Sequence, residues 1–220
     1  MEKIIMDFDE ILMNFKIPMY KIIKKLLPEI KFYTEEQLLT EPNYYINWSD
    51  NPLVEKKAKN LMYYEIQDFY QKHTIFNKET VEFIKNILYL NRNVKEVIVL
   101  THCIDSSPLT SSKRLAITDL SNMLGKKIEI YIVNNPNKKV ELLLGGLSDF
   151  KYYFEDNSDV INNYLKETRL FNPGEQIKEI FIPMFGWTDN VNNELADKKG
   201  IKINYYNDET HFSNYKIFDK

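Results

Sequence analysis

An α/β fold is predicted, with a mostly parallel sheet covered by helices on both faces and a helical block inserted near its start. Three observations predict it. From residue 96 onward, short apolar runs alternate with helical patterns. One further short run, Lys3-Ile4-Ile5-Met6-Asp7, stands apart near the N-terminus. Between them, residues 16–90 carry helical spacing and no convincing strand. Parallel strands joined by helices bury both faces of their sheet, so they read as apolar runs.

The elements follow in order. Residues 3–7 form a strand: the run is short, β-branched at Ile4 and Ile5, and stops at acids. Met19-Tyr20, Ile22-Ile23 and Leu26-Leu27 recur at helical spacing until Pro28. Thr34 and Gln37 read as a capping box that starts a second helix. Residues 43–52 are a loop holding Tyr44, Tyr45 and Trp48, and residues 53–72 and 80–90 read as two longer helices. Strands follow at 96–101, 127–133, 152–154, 179–184 and 201–206. Helices are expected at 110–124, 138–144, 158–167 and 191–199, stopped in the first two cases by Gly125 and Gly145-Gly146. Residues 134–137 and Asn172-Pro173-Gly174 are turns. The expected division is a core of residues 1–15 and 91–220, with residues 16–90 as a separate subdomain.

Composition narrows the partners. The chain has 220 residues and a formal net charge of -3, with acids and bases interspersed. No broad basic field faces double-stranded nucleic acid, which is therefore not an expected partner. A single cysteine, Cys103, allows no internal disulfide and fits a reducing, cytoplasmic setting. No apolar run approaches the roughly 20 residues that span a bilayer, so no membrane partner is expected.

The chemistry is expected at the carboxyl ends of the strands, where parallel sheets bind ligands. Asp7 and Asp9 lie on one side of an extended chain. Two such carboxylates repel unless a cation stands between them, and Mg²⁺ suits oxygen ligands. A D-x-D pair is equally a pair of surface acids closing a strand. Thr101, followed by His102, ends the strand at 96–101, and its hydroxyl with the next amides could hold a phosphate oxygen or simply cap the loop. Lys138 and Lys139 open a helix, where the helix N-terminus favours the same anion; a solvated pair is the alternative. The same weighing applies to Lys113 and Arg114. Glu155, Asp156 and Asp159 crowd three acids after the strand at 152–154. They form a metal site, or Asp156 or Ser158 caps the next helix. Cys103 beside His102 is set aside as a nucleophile, because nothing orients the pair.

Acid pair, threonine, lysine and acid cluster occur in that order, each at the end of a strand or the start of a helix. The set resembles the haloacid dehalogenase-like phosphatase superfamily, over nearly the whole chain; length, small helical insert and aromatic content look most like its 5′(3′)-deoxyribonucleotidases. The resemblance implies a Rossmann-like three-layer parallel core with residues 16–90 as an inserted helical cap. It implies Asp7 as nucleophile and Asp9 as general acid and base. Thr101, His102 and Lys138 or Lys139 would bind phosphate. Mg²⁺ would be held by Asp7, the backbone carbonyl of Asp9 and Asp156, with Glu155 or Asp159 ordering its water. Tyr44, Tyr45 and Trp48 of the cap would contact the substrate, with Tyr63, Tyr64 and Phe69 as further aromatic candidates that fit a helical core as well. The expected partner is a small phosphorylated substrate, in the first place a nucleotide; a homodimer is compatible. Another phosphate ester, a polynucleotide end, or a binding protein without chemistry are the alternatives. The chain departs from the family at Glu10, where a glycine usually eases the turn after the second aspartate.

Overall fold

The computed structural model describes residues 2–43, 45–90, 94–103, 107–145, 147, 150–168 and 177–206. Tyr44 and the turn expected at 172–174 lie outside the described residues. The core is one six-stranded sheet in which all neighbours pair in parallel. Strand β1 (Glu2–Met6) lies between β2 (Val94–His102) and β4 (Phe150–Phe154). Beyond β2 lies β3 (Ile128–Val133); beyond β4 lie β5 (Glu179–Pro183) and β6 (Lys202–Tyr206). The chain thus builds outward on one side of β1, then crosses back to build on the other. That reversal opens a crevice at the carboxyl end of β1, and Asp7 is the residue delivered there.

Alternation along the strands sorts the core into two layers. Ile4, Met6, Val97, Val99 and Phe154 face one cluster, and Ile5, Ile98, Leu100 and Tyr153 face the other. The second face is covered by α7 (Pro136–Gly145), α8 (Ser158–Glu167) and α9 (Asn193–Lys198) through Val140, Leu143, Val160, Ile161 and Ala196. The first is covered by α6 (Ser107–Leu124) and by the last helix of the inserted block, α5 (Lys78–Leu90). Phe83 of α5 brings its ring 5.9 Å from Phe154 and 5.8 Å from Phe181.

Before α5 the inserted block holds α1 (Lys16–Leu26), α2 (Glu35–Thr40), α3 (Pro52–Asn60) and α4 (Phe69–His73). The capping box forms as expected: Gln37 N donates to Thr34 Oγ1 at 3.1 Å, and Thr34 N donates to Gln37 Oε1 at 2.8 Å. The single long helix expected at 53–72 does not form. A π-helical turn at Leu61–Glu65 follows α3, and Ile66 N reaches back to Leu61 O, closing a wider ring. The extra residue rotates the buried stripe, so Phe69 and Tyr70 turn inward on the separate helix α4. Two smaller expectations also shift. Helix α7 starts at Pro136, inside the expected turn, because proline suits a first helical turn. The cap of α8 is neither Asp156 nor Ser158 but Asn157, whose Oδ1 accepts from Asp159 N and Val160 N.

Two of the contacts that tie the block to the core come from α4 and α2. Gln71 N of α4 donates to Ser112 Oγ of α6 at 3.1 Å. At the other, the backbone of α2 presses on Gly186, in the short helix after β5, where a Cβ would stand 2.1 Å from the Thr40 carbonyl oxygen. Only glycine fits that contact.

Candidate active site

Asp7 continues the pairing of β1, its N–H donating to Phe154 O at 2.8 Å. This sets it beside Glu155, at the end of β4. Asp7 Oδ1 accepts from Phe8 N at 2.6 Å, and Oδ2 accepts from Lys139 Nζ at 2.6 Å. The same ammonium donates to Glu155 Oε2 at 2.9 Å. Lys139 can reach because it belongs to the buried stripe of α7 with Val140 and Leu143, whereas Lys138 is exposed. Of the two lysines, Lys139 is the one that reaches Asp7. Burial opposes the charge on Asp7, but Lys139 and Lys113 outweigh it and hold the carboxyl below its ordinary range.

Glu155 is saturated. Tyr153 OH and Lys139 donate to Oε2, and Asn157 N donates to Oε1 at 3.1 Å. Burial, opposed by Lys139, raises its pKa to about 7. Asp156 differs: Trp187 Nε1 donates to its Oδ2 at 3.1 Å, and its Oδ1 is buried without a partner. Burial first, and then the charge of Glu155, push the Asp156 carboxyl well up. Carboxylate oxygens of Asp7, Glu155 and Asp156 lie within 4.8 Å of one another. Three buried carboxylates, one with an orphaned oxygen, fit a hard divalent cation such as Mg²⁺. Asp159 is exposed on the first turn of α8.

Thr101, at the end of β2, is fully buried. Its hydroxyl completes no hydrogen bond, although it lies near enough to Asp7 to favour that charge. His102 is half-buried, with Nε2 3.3 Å from Asn134 O, and burial lowers its pKa.

Asp9 is held from the other side. Its Oδ2 accepts from Lys113 Nζ at 2.8 Å and from Tyr70 OH at 3.1 Å; its Oδ1 is buried without a partner. Burial raises its pKa, against the attraction of Lys113. Glu10 then adopts φ 58°, the left-handed backbone a glycine would supply, and is the one non-glycine among the described residues to do so. The cost is on the order of 1–2 kcal/mol. Its buried side chain reaches the start of α1, where its Oε1 accepts from Phe15 N and Lys16 N. Glutamate therefore keeps the turn and also caps a helix.

Two spaces meet here. A recess of about 30 Å³ is lined by Asp7, Asp9, Tyr45, His102, Pro136, Lys139, Asn157 and Val160. A chamber of about 520 Å³ shares its Asp9, Tyr45 and His102 rim. Phe15, Ile46, Met62, Tyr63, Tyr70 and Trp187 are among its walls, with Lys16 and Lys59 as its lysines. Of the aromatic residues expected in the cap, Tyr45 is exposed at the rim and Tyr63 lines the chamber. Trp48 lines it too, but is 1% exposed and stacks on Tyr20, with ring centres 6.2 Å apart. Tyr64 is exposed and Phe69 is fully buried. Neither is among the residues lining the chamber.

Tyr70, Lys16 and Trp187 are not singled out by the sequence, and Lys113 stays open in it between an anion-facing and a solvated lysine; it pairs instead with Asp9. Each lysine sits on its helix's buried stripe: Lys113 with Leu109, Ala116 and Ile117, and Lys16 with Met19, Tyr20 and Ile23. A lysine on an apolar stripe demands a buried acceptor, and that spacing was readable. Lys16 Nζ donates to Asn43 O at 3.2 Å and sits 3.8 Å over the Trp187 ring, and burial lowers its pKa to about 8. No spacing marked Trp187.

Among known proteins, no family model matches the chain, and no curated protein matches it. A solved structure from Thermotoga maritima, provisionally assigned as a beta-phosphoglucomutase, is similar with a TM-score of 0.49 at 13% identity, over 95% of each chain. The α/β assignment rests on the parallel sheet itself. No described helix is long and apolar enough to cross a membrane.

Proposed function

We propose that the chain is a Mg²⁺-dependent phosphomonoesterase of the haloacid dehalogenase-like type, acting on a nucleoside monophosphate. One observation carries the reading: Asp7 with its lysine lines a recess whose rim, at Asp9, is also the rim of an aromatic-walled chamber. A phosphoryl group suits the recess and an apolar, stackable leaving group suits the chamber. The helical block over the chamber acts as the cap in this reading.

Asp7 attacks phosphorus in line; the bond to the leaving oxygen breaks as Asp9 gives that oxygen its proton. An aspartyl-phosphate remains. Asp9, now a carboxylate, takes a proton from water as the water oxygen attacks phosphorus, and the bond to Asp7 breaks to release phosphate. Thr101, with its unspent hydroxyl, and Lys139 bind the phosphoryl oxygens through both steps. Asp7 and the free oxygen of Asp156 would hold Mg²⁺, with saturated Glu155 orienting Lys139 behind them. Bound there, the cation would lower the repulsion between the nucleophile and the phosphate. The left-handed Glu10 supports an active site over a silent one, because the turn the family needs is made.

Phosphate release from a panel of nucleotides and sugar phosphates, with and without Mg²⁺, tests the reading. Turnover is expected on nucleoside monophosphates, dependent on Mg²⁺ and abolished by Asp7→Asn. A folded protein inert on every ester would overturn it in favour of a binding role.

A further inference from the structure

Asp9 is gripped by one oxygen only. Lys113 and Tyr70 both donate to Oδ2, while Oδ1, on the same carboxylate, is buried and bonded to nothing. A buried acceptor without a donor is costly, and the residue that carries this one lines both the recess and the chamber. The grip is itself fixed. Lys113 is fully buried and its Nζ also donates to His102 O at 2.7 Å, tying it to the end of β2. The ammonium lies 5.1 Å from the centre of the Tyr70 ring and 5.9 Å from that of Phe8. Tyr70 comes from the inserted block, on α4, which the Gln71–Ser112 hydrogen bond ties to the helix carrying Lys113.

We propose that Lys113 and Tyr70 are positioning residues that hold Asp9 by Oδ2 and aim Oδ1 at the leaving oxygen of the ester. The inference rests on the phosphomonoesterase reading and adds two residues to it, from outside the four matched motifs. It also makes proton delivery depend on a docked insert, since one of the two donors is carried by that block. A carboxylate free to rotate would deliver its proton from a scattered set of positions, and misplacement alone lowers the rate.

The discriminating measurement is dependence on the leaving group. A nucleoside 5′-monophosphate expels an alkoxide and needs Asp9's proton; p-nitrophenyl phosphate expels a stabilised phenolate and needs it little. The value of kcat/KM covers the first phosphoryl transfer, where that proton is given. Lys113→Met is expected to lower kcat/KM on the nucleotide about 100-fold, and Tyr70→Phe about 10-fold, with p-nitrophenyl phosphate falling less than about 3-fold. KM for the nucleotide should hold while kcat falls. In an Asp9→Asn background, neither change should lower the nucleotide rate further. Tyr70→Phe deletes one hydroxyl and keeps the ring, so it decides the matter even where Lys113→Met fails to fold. Equal losses on both esters, or no loss on either, overturn the positioning role while leaving the phosphatase reading standing. A wild-type protein inert on both esters overturns the phosphatase reading, and the positioning role with it.

Discussion

At the Asp7 end of the site, the charged groups are held on the sheet and the helix behind it. Lys139 bridges Asp7 and Glu155, Tyr153 completes Glu155, and all four are buried on elements of the core. At the Asp9 end, the balance is struck between separate parts of the chain. Lys113 comes from a core helix, Tyr70 from the inserted block, and a chamber of about 520 Å³ opens beside them. The first end resembles a buried ion cluster, whose removal leaves uncompensated charge. The second joins segments far apart in the chain, and its geometry depends on how α4 packs against α6.

The sharpest way to break that contrast is Lys139→Met. It strands two carboxylates in the interior and is expected to cost about 3–5 kcal/mol, read from the denaturant midpoint. A variant as stable as wild type would mean the Asp7 end is not held by charge at all. Gly186→Ala probes the seat of α2 beside Trp187, which donates to Asp156. The added methyl meets the Thr40 backbone, and the expected cost is about 1–3 kcal/mol, with activity on nucleotides falling as the block shifts. Glu10 stands between the ends, and there two effects offset. Glu10→Gly relieves the left-handed cost and loses the cap on α1, leaving a net stability change within about 1 kcal/mol. Lys138→Ala should do least. Its exposed side chain predicts a stability change within about 0.5 kcal/mol and unaltered turnover, which would separate it from its neighbour Lys139.

The same contrast explains what could be read from the sequence. The Asp7 end was legible because its groups sit at strand ends, and strands announce themselves by apolar runs. Even the choice between Lys138 and Lys139 was present in the letters, since only Lys139 is in step with Val140 and Leu143. The Asp9 end was mostly illegible. Tyr70 was hidden because the π-helical turn at Leu61–Glu65 shifts the register of the stripe, and a pattern read as one helix from 53 to 72 aims it wrongly. Lys113 stays open in the letters between an anion-facing and a solvated residue, although the apolar stripe it interrupts argues for a buried partner. Trp187 reaches Asp156 from a three-residue helix that no periodicity could mark.

The central place of β1 has a consequence in time. Tyr70, Lys113 and Lys139 meet the D-x-D pair across 61, 104 and 132 positions of sequence. During synthesis, at roughly 5–20 residues per second, Asp7 therefore waits on the order of ten seconds for its lysine. Within the inserted block, α1 packs on α2 and on the π-helical turn, local contacts that need not wait. The strand made first is thus completed late: β1 cannot gain its second neighbour until β4 has emerged. Until then its apolar edge is open to other chains, which makes the nascent protein, rather than the finished one, the state most exposed to aggregation.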